Sequence, residues 1–354
     1  MTGQPVEPQL EFVYYPGCSL QGVNWEYDAS FRAVCHELGI SLIELDGWTC
    51  CGGSSAHSID PVLASRLARE NLALAGKSGK VLVAPCPACY QNLRRGQGAL
   101  PAANEKPQRA KHGVPPPRKL ADSQAGQARS SRPGNSQPCL AHQGVEPTAK
   151  EAAGVGGECF AAPTTLVFHV NEFFHQPPVW NRLRQAIRRP LVGLKPVAYY
   201  GCLVSRVGAT PGSREVEDPT HLEKLLELAG ASVCPWAYKT DCCGGSLGLT
   251  RPAIVNDLVA QLVDEAIKAG ANCLVTDCPL CFANLDGRQL DVLRKDRELR
   301  LLPVFYISEV LALALGLRGV ATWLSRHCVD PFPLLESLGF SREDLGKQTE
   351  SWQV

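Results

Sequence analysis

Short apolar runs alternate with helical segments along the first part of the chain. The runs predicted as strands are residues 10–15, 41–45 and 80–84. Residues 24–38 carry apolar side chains at helical spacing, and Asp60 followed by Pro61 supplies an N-cap for a helix that reaches about Ala75. This order of strands and helices predicts an α/β fold with a parallel sheet covered by helices.

The second part of the chain repeats this order. The predicted strands are residues 195–200, 232–236, 273–276 and 302–307, and the predicted helices are residues 219–228, 253–269 and 308–315. We expect residues 167–174 to enter a helix and Ser308 to be the N-cap of the last predicted helix. The repetition indicates an internal duplication that yields two homologous domains built from parallel-sheet βαβ units.

A polar segment separates the two repeats. Residues 96–163 are rich in Pro, Gly, Gln, Ser, Ala and basic side chains, and they show no hydrophobic period. Such a composition predicts a disordered insert. The expected organisation is a first domain at 1–95, the insert at 96–163, a second domain at 164–340 and a C-terminal tail at 341–354.

Composition narrows the class of protein. The chain of 354 residues is 45% hydrophobic, with 35 basic and 35 acidic side chains, so its formal net charge is zero. We therefore expect two ordinary cores and no global field that recruits nucleic acid or an anionic membrane. No signal peptide and no run long enough to span a membrane is recognised, which predicts a cytoplasmic protein without membrane insertion. The 16 cysteines indicate metal or redox chemistry, because a chain of this length needs no disulfide staples.

The cysteines form two matching sets. A Cys-Cys-Gly-Gly stretch and a Cys-Pro-x-Cys stretch each occur twice, 192 residues apart, and each pair of stretches is preceded by one further Gly-Cys. In both copies, 34 residues separate the adjacent cysteines from the Cys-x-x-Cys. The first set is Cys18, Cys50, Cys51, Cys86 and Cys89, and the second set is Cys202, Cys242, Cys243, Cys278 and Cys281. All three cysteine groups of a set follow predicted strands, so we expect them at the carboxyl edge of a sheet, where ligands bind in folds of this kind.

The number of thiols favours one kind of metal centre. Adjacent cysteines make a strained disulfide, because their Cα atoms are only about 3.8 Å apart. A structural zinc site takes four ligands and leaves one cysteine of each set unused, whereas a multi-iron cluster can use all five. Zinc in one half, or a structural zinc scaffold without catalysis, remains an alternative because thiolates suit both metals.

The arrangement of the ten cysteines resembles the cysteine-rich CCG domain, in two complete copies, as in the B component of heterodisulfide reductase. The resemblance implies that each five-cysteine set, in full, binds a noncubane 4Fe-4S cluster. It also implies that the clusters reduce a small disulfide to two thiols, or oxidise thiols in the reverse direction. The resemblance identifies no catalytic residue beyond the cluster ligands. The implied partners are proteins similar to the iron–sulfur C component and the flavin-containing A component of that enzyme.

Related CCG proteins also act in lactate, glycolate and succinate oxidation. The resemblance therefore leaves a second redox function open, in which the chain relays electrons for a partner oxidoreductase.

Overall fold

In the described part of the chain, seven short strands form two separate parallel sheets. The strands are β1 (Leu10–Tyr14), β2 (Ile40–Glu44), β3 (Leu82–Val83), β4 (Val167–Phe168), β5 (Pro196–Tyr199), β6 (Cys273–Thr276) and β7 (Val304–Tyr306). The first sheet has the order β2-β1-β3-β4 and the second has the order β5-β6-β7. All pairings are parallel, so the predicted α/β fold with parallel-sheet units in two copies is confirmed.

The computed structural model describes residues 9–53, 59–98, 165–206, 218–295 and 300–346. Nearly all of the predicted insert, and the end of the predicted tail, lie outside these described residues. The helices are α1 (Gly17–Leu20), α2 (Trp25–Glu37), α3 (Pro61–Gly76), α4 (Pro87–Gly96), α5 (Val170–Phe174), α6 (Pro177–Ala186), α7 (Gly201–Arg206), α8 (His221–Leu228), α9 (Pro252–Lys268), α10 (Pro279–Lys295), α11 (Ile307–Ala314), α12 (Val320–Leu324), α13 (Phe332–Ser337) and α14 (Arg342–Gly346).

Strand β4 differs from the sequence expectation. We expected residues 167–174 to enter a helix within the second domain, but residues 167–168 form a strand that pairs with β3 and completes the first sheet. Helix α5 begins only at Val170, after the N-cap residue His169, whose backbone N–H donates to Glu172 Oε2 at 3.0 Å. We therefore use "first half" for the elements β1–β4 and α1–α6, and "second half" for β5–β7 and α7–α14.

The predicted strand at residues 232–236 is not formed. The segment runs beside β5, because the N–H groups of Ser232 and Cys234 donate to the carbonyls of Leu194 and Pro196 at 2.9 and 2.8 Å. Pro235 has no N–H, so a regular ladder cannot continue there. The prediction was wrong about the strand, although the segment does follow the sheet edge.

The start of helix α11 also differs from the expectation. Its N-cap is Tyr306 rather than Ser308, and Glu309 Oε2 accepts the Tyr306 backbone N–H at 2.9 Å. Ser308 lies inside the helix, where its hydroxyl shares a hydrogen bond with Ser30 Oγ at 2.6 Å. Ser308 therefore links the two halves instead of capping the helix.

Helices α2 and α11 hold the two halves together. The rings of Tyr27 and Tyr306 stack with centroids 4.2 Å apart and an angle of 3° between their planes. The Tyr27 hydroxyl donates to the Asp277 carbonyl at 3.0 Å. Both rings are fully buried, and the described residues of both halves belong to one compact unit.

Within the described part of the chain, the helices are too short or too polar to cross a lipid bilayer.

Candidate functional site

Four of the ten cysteines lie where a strand leads into a helix. Strands β1 and β5 lead into α1 and α7, whose second residues are Cys18 and Cys202. Strands β3 and β6 lead to Cys86 and Cys278, each directly before the proline that opens α4 or α10. Each sheet therefore presents these cysteines at its carboxyl edge, as the sequence predicted for them. The prediction fails for Cys242 and Cys243, because the segment before them forms no strand.

Within each set, the second of the adjacent cysteines approaches the last cysteine of the Cys-x-x-Cys. The Sγ atoms of Cys51 and Cys89 are 3.3 Å apart, and those of Cys243 and Cys281 are 3.5 Å apart. In the second set, Cys202 Sγ also lies 3.8 Å from Cys242 Sγ. The pair Cys51 and Cys89 and the pair Cys243 and Cys281 are thus brought together in the same way in both halves, and the second set adds the pair Cys202 and Cys242.

Glycines leave room for the sulfur atoms. Gly17 and Gly201 have positive φ angles of 70° and 64°, and a Cβ at either position would lie 2.8 Å from the Sγ of Cys89 or Cys281. That distance is too short for any side chain, and the left-handed conformation also favours glycine. The glycine before the first cysteine of each set is therefore required by the position of the last cysteine of that set.

The Cys-Cys-Gly turn directs backbone N–H groups at sulfur. Gly52 N lies 3.4 Å from Cys50 Sγ, and Gly244 N lies 3.3 Å from Cys242 Sγ. Both glycines have positive φ angles, 74° and 76°, a left-handed conformation that glycine adopts without strain. Such N–H groups stabilise thiolates and are a known means of tuning iron–sulfur centres.

Two tyrosines fix the loop before the adjacent cysteines. The Tyr15 hydroxyl donates to the Thr49 carbonyl at 2.5 Å, and the Tyr199 hydroxyl donates to the Asp241 carbonyl at 2.7 Å. Burial raises the pKa of both phenols well above the ordinary value, so they stay protonated donors.

Sequence reasoning missed one pair of residues that contact the sets. Asn92 and Asn284 lie three residues after each Cys-x-x-Cys, and their Nδ2 atoms donate to the carbonyls of Cys51 and Cys243, both at 3.2 Å. Asn284 Nδ2 also lies 3.8 Å from Cys243 Sγ. The two asparagines are 192 residues apart, which is the offset of the cysteines themselves, so this offset could have identified them.

Hydrogen bonds between thiols divide the protons unequally within each set. The bond with Cys89 lowers the pKa of Cys51 to about 7, and the reciprocal bond raises the pKa of Cys89. The bond with Cys281 lowers the pKa of Cys243 in the same way, while that of Cys281 is raised. The bond with Cys89 also lowers the pKa of Cys86. Each half therefore has at least one buried thiol that is prepared to become a thiolate, the form that binds metal.

Each set has a buried side and an exposed side. The buried side is Cys51, Cys86 and Cys89 in the first half, and Cys243, Cys278 and Cys281 in the second. Cys18, Cys50 and Cys242 are exposed, and Cys202 is partly exposed. The soft thiol donors, the glycines without Cβ atoms and the N–H groups aimed at sulfur fit an iron–sulfur cluster.

A family model and several relatives match this chain. The model of the CCG cysteine-rich domain matches residues 12–94 and again residues 197–286. The "8-methylmenaquinol:fumarate reductase membrane anchor subunit" of Wolinella succinogenes is 27% identical over 91% of this chain and 98% of its own. The B component of the "Ferredoxin/F(420)H(2)-dependent CoB-CoM heterodisulfide reductase" of Methanosarcina acetivorans is 24% identical over 85% of this chain and 88% of its own.

A solved structure shares the fold. The crystal structure of a hypothetical protein from Helicobacter pylori superposes with a TM-score of 0.56 at 12% identity, covering 90% of this chain. This chain spans 52% of the length of that protein, so the likeness concerns the fold alone. Taken with the two copies of the cysteine-rich domain, the relatives settle the family: the chain belongs to the two-copy CCG proteins, the family that includes the B component of heterodisulfide reductase.

Proposed function

We propose that each five-cysteine set holds a noncubane 4Fe-4S cluster and that the chain reduces a small disulfide, or oxidises thiols, at these centres. The two CCG domains and the relatives support the coarser part, in which the chain is an iron–sulfur electron-transfer subunit of a reductase. The proposal goes further in two respects: the clusters are noncubane 4Fe-4S clusters, and the substrate is a small disulfide or thiol.

The exposure of the outer thiols is the observation that carries the sulfur chemistry. Cys18 and Cys50 in the first half, and Cys242 in the second, face solvent while the rest of each set is buried except for the partly exposed Cys202. A centre that only passes electrons works well when it is fully enclosed. An opening at the sulfur ligands instead lets a substrate sulfur atom reach the metal, as catalytic metal sites require.

The chemistry balances with two electrons and two protons per disulfide. The S–S bond breaks, each sulfur gains one electron and one proton, and two thiols leave. A bound 4Fe-4S cluster supplies electrons and iron that can bind sulfur. The chain itself holds the ligands in place through the Tyr15 and Tyr199 hydroxyls and the Asn92 and Asn284 amides.

The number of thiols weighs against the zinc alternative. A structural zinc ion takes four ligands, which would leave one cysteine of each set unused. A multi-iron centre spans more space than one ion, and it can use all five cysteines of a set. The donor arrangement therefore favours the cluster.

The electron source is proposed by analogy with the family. An iron–sulfur partner similar to the C component of heterodisulfide reductase, and a flavin partner similar to its A component, would deliver electrons in the cytoplasm.

The Wolinella relative favours a second candidate function. Its name assigns it to a quinol:fumarate reductase as the membrane anchor, and this chain covers 98% of it. In that case the chain would relay electrons between partner proteins without a disulfide substrate of its own.

One experiment separates these functions. Protein purified without oxygen is assayed for iron, acid-labile sulfide and zinc, and its electron paramagnetic resonance (EPR) spectrum is recorded after addition of thiol and oxidant. We expect about eight irons per chain from two clusters of four, together with a new signal that depends on the thiol. Iron without any thiol-dependent signal would favour the relay, and zinc without sulfide would refute both redox functions.

A further inference from the structure

The first cysteine of each set lies on a short helix that the opposite half contacts. Cys18 is in α1, which has four residues, and Cys202 is in α7, which has six. Helices this short have little stability of their own, so their positions depend on contacts from outside. The opposite half reaches the residue that follows each cysteine, directly at Leu203 and through Asn24 at Ser19.

In the second set, the contact comes from the first half. Gln91 Nε2 donates to the Leu203 carbonyl at 3.1 Å. This carbonyl is among the last four of α7, which have no partner within the helix. Gln91 is 7% exposed and lies on α4, two residues after Cys89 and directly before Asn92. A residue of α4, the helix that carries Cys89, thus holds α7, the helix that carries Cys202.

In the first set, the contact comes from the second half. The Tyr306 hydroxyl donates to Asn24 Oδ1 at 3.1 Å, and Asn24 Nδ2 donates to Ser19 Oγ at 2.7 Å. The Asn24 backbone N–H also donates to the Ser19 carbonyl at 3.1 Å. Tyr306 and Asn24 are both buried, so these hydrogen bonds are shielded from water. The phenol of the second half therefore fixes the residue next to Cys18.

We propose that Gln91 and Tyr306 are crossed positioning residues, each of which holds the first cysteine of the opposite half in its ligand geometry. The inference rests on the proposed function where it concerns clusters, and it adds that the two centres are not built independently. Asn92 and Asn284, which contact cysteines of their own half, act only within that half. Neighbouring residues of α4 thus serve different centres.

Four substitutions test this assignment in matched pairs. Gln91→Leu is compared with Asn92→Leu, and Tyr306→Phe is compared with Asn284→Leu. Tyr306→Phe keeps the ring that stacks on Tyr27 and removes only the hydroxyl. Each is made in two backgrounds, Cys51→Ala to leave only the second centre and Cys243→Ala to leave only the first.

Loss of iron to a chelator, followed by EPR, is the first measurement. Without Cys51, we expect Gln91→Leu to release iron about fivefold faster, which corresponds to one lost hydrogen bond, while Asn92→Leu has no effect. Without Cys243, Tyr306→Phe should have the same effect and Asn284→Leu none. The EPR line shape of the affected centre should change as well, because one of its ligands moves. If Gln91→Leu altered only the first centre, or Tyr306→Phe only the second, the crossed assignment would be overturned.

Hydrogen exchange of the metal-free full chain is the second measurement. Gln91→Leu should speed amide exchange in residues 201–206 and leave residues 17–20 unchanged, and Tyr306→Phe should do the reverse. Unchanged exchange in both segments would overturn the crossed contacts. If the wild-type chain bound no iron and sulfide, the proposed function would fail, and the exchange data alone would decide whether the contacts cross.

Discussion

Replacing Gly201 by alanine tests the packing of the second cysteine set. The new Cβ would lie 2.8 Å from Cys281 Sγ and 3.6 Å from a ring carbon of Tyr199. The position also has a φ angle of 64°, which costs an alanine about 1 to 2 kcal/mol. Displacing the buried sulfur adds about 1 to 3 kcal/mol, as overpacking in a core does. We expect a total loss of about 2 to 5 kcal/mol in the free energy of unfolding.

Gly270 provides the matched control. It follows helix α9 with a φ angle of 86°, and a Cβ there would meet no atom within 4 Å. Gly270→Ala should therefore show only the conformational cost of about 1 to 2 kcal/mol. The difference between the two variants isolates the contact with Cys281.

Urea unfolding of the metal-free chain, followed by circular dichroism, measures both costs, and iron content measures the consequence for the site. We expect Gly201→Ala to be clearly less stable than Gly270→Ala and to lose iron from the second set. Equal stability of the two variants, together with full iron content in Gly201→Ala, would refute the packing argument.

Three further predictions concern the scaffold. Burial lowers the pKa of His169 to about 3, so the stability that its neutral form contributes is lost as the pH falls from about 6.5 towards 3. In urea titrations between pH 6 and pH 4, the wild type should lose about 2.5 kcal/mol more of its free energy of unfolding than His169→Asn, and parallel curves would contradict this. Asp60 caps helix α3 by accepting the N–H groups of Val62 and Leu63, so Asp60→Ala should lose about 1 kcal/mol by thermal unfolding and Asp60→Asn much less. A double-mutant cycle of Ser30→Ala and Ser308→Ala should give about 1 kcal/mol of coupling, and simple additivity would show that this bond does not hold the halves together.

The sequence predicted the elements around the cysteines well because local signals agree there. Strand β6 begins and ends at the predicted residues, and helix α3 starts after the predicted N-cap Asp60. Apolar runs that end at cysteines, and glycine or proline at fixed offsets, are short-range features that one sequence displays. The relative order of the cysteine groups and the strands follows from these features alone.

Long-range pairing could not be obtained in this way. Strand β4 has only two residues, and its partner β3 lies across the insert, so nothing in residues 167–168 indicates which sheet they join. The N-cap at Tyr306 was missed for a similar reason, because Ser308 has the better capping propensity but bonds to Ser30 of the other half. In both cases a tertiary contact outweighed the local preference.

The contacts of the glycines, tyrosines and asparagines around the cysteines repeat in both halves, whereas the sheets differ. Gly17 and Gly201, Tyr15 and Tyr199, and Asn92 and Asn284 each make the same contact in both halves, although the sheets differ in their number of strands. Features of the scaffold thus diverged while the surroundings of the cysteines did not. Gln91 and Tyr306 do not follow this pattern. Gln91 bonds directly to the residue after Cys202, whereas Tyr306 acts on the residue after Cys18 through Asn24. Contacts within a half repeat, as an internal duplication predicts, whereas these two contacts between the halves do not repeat.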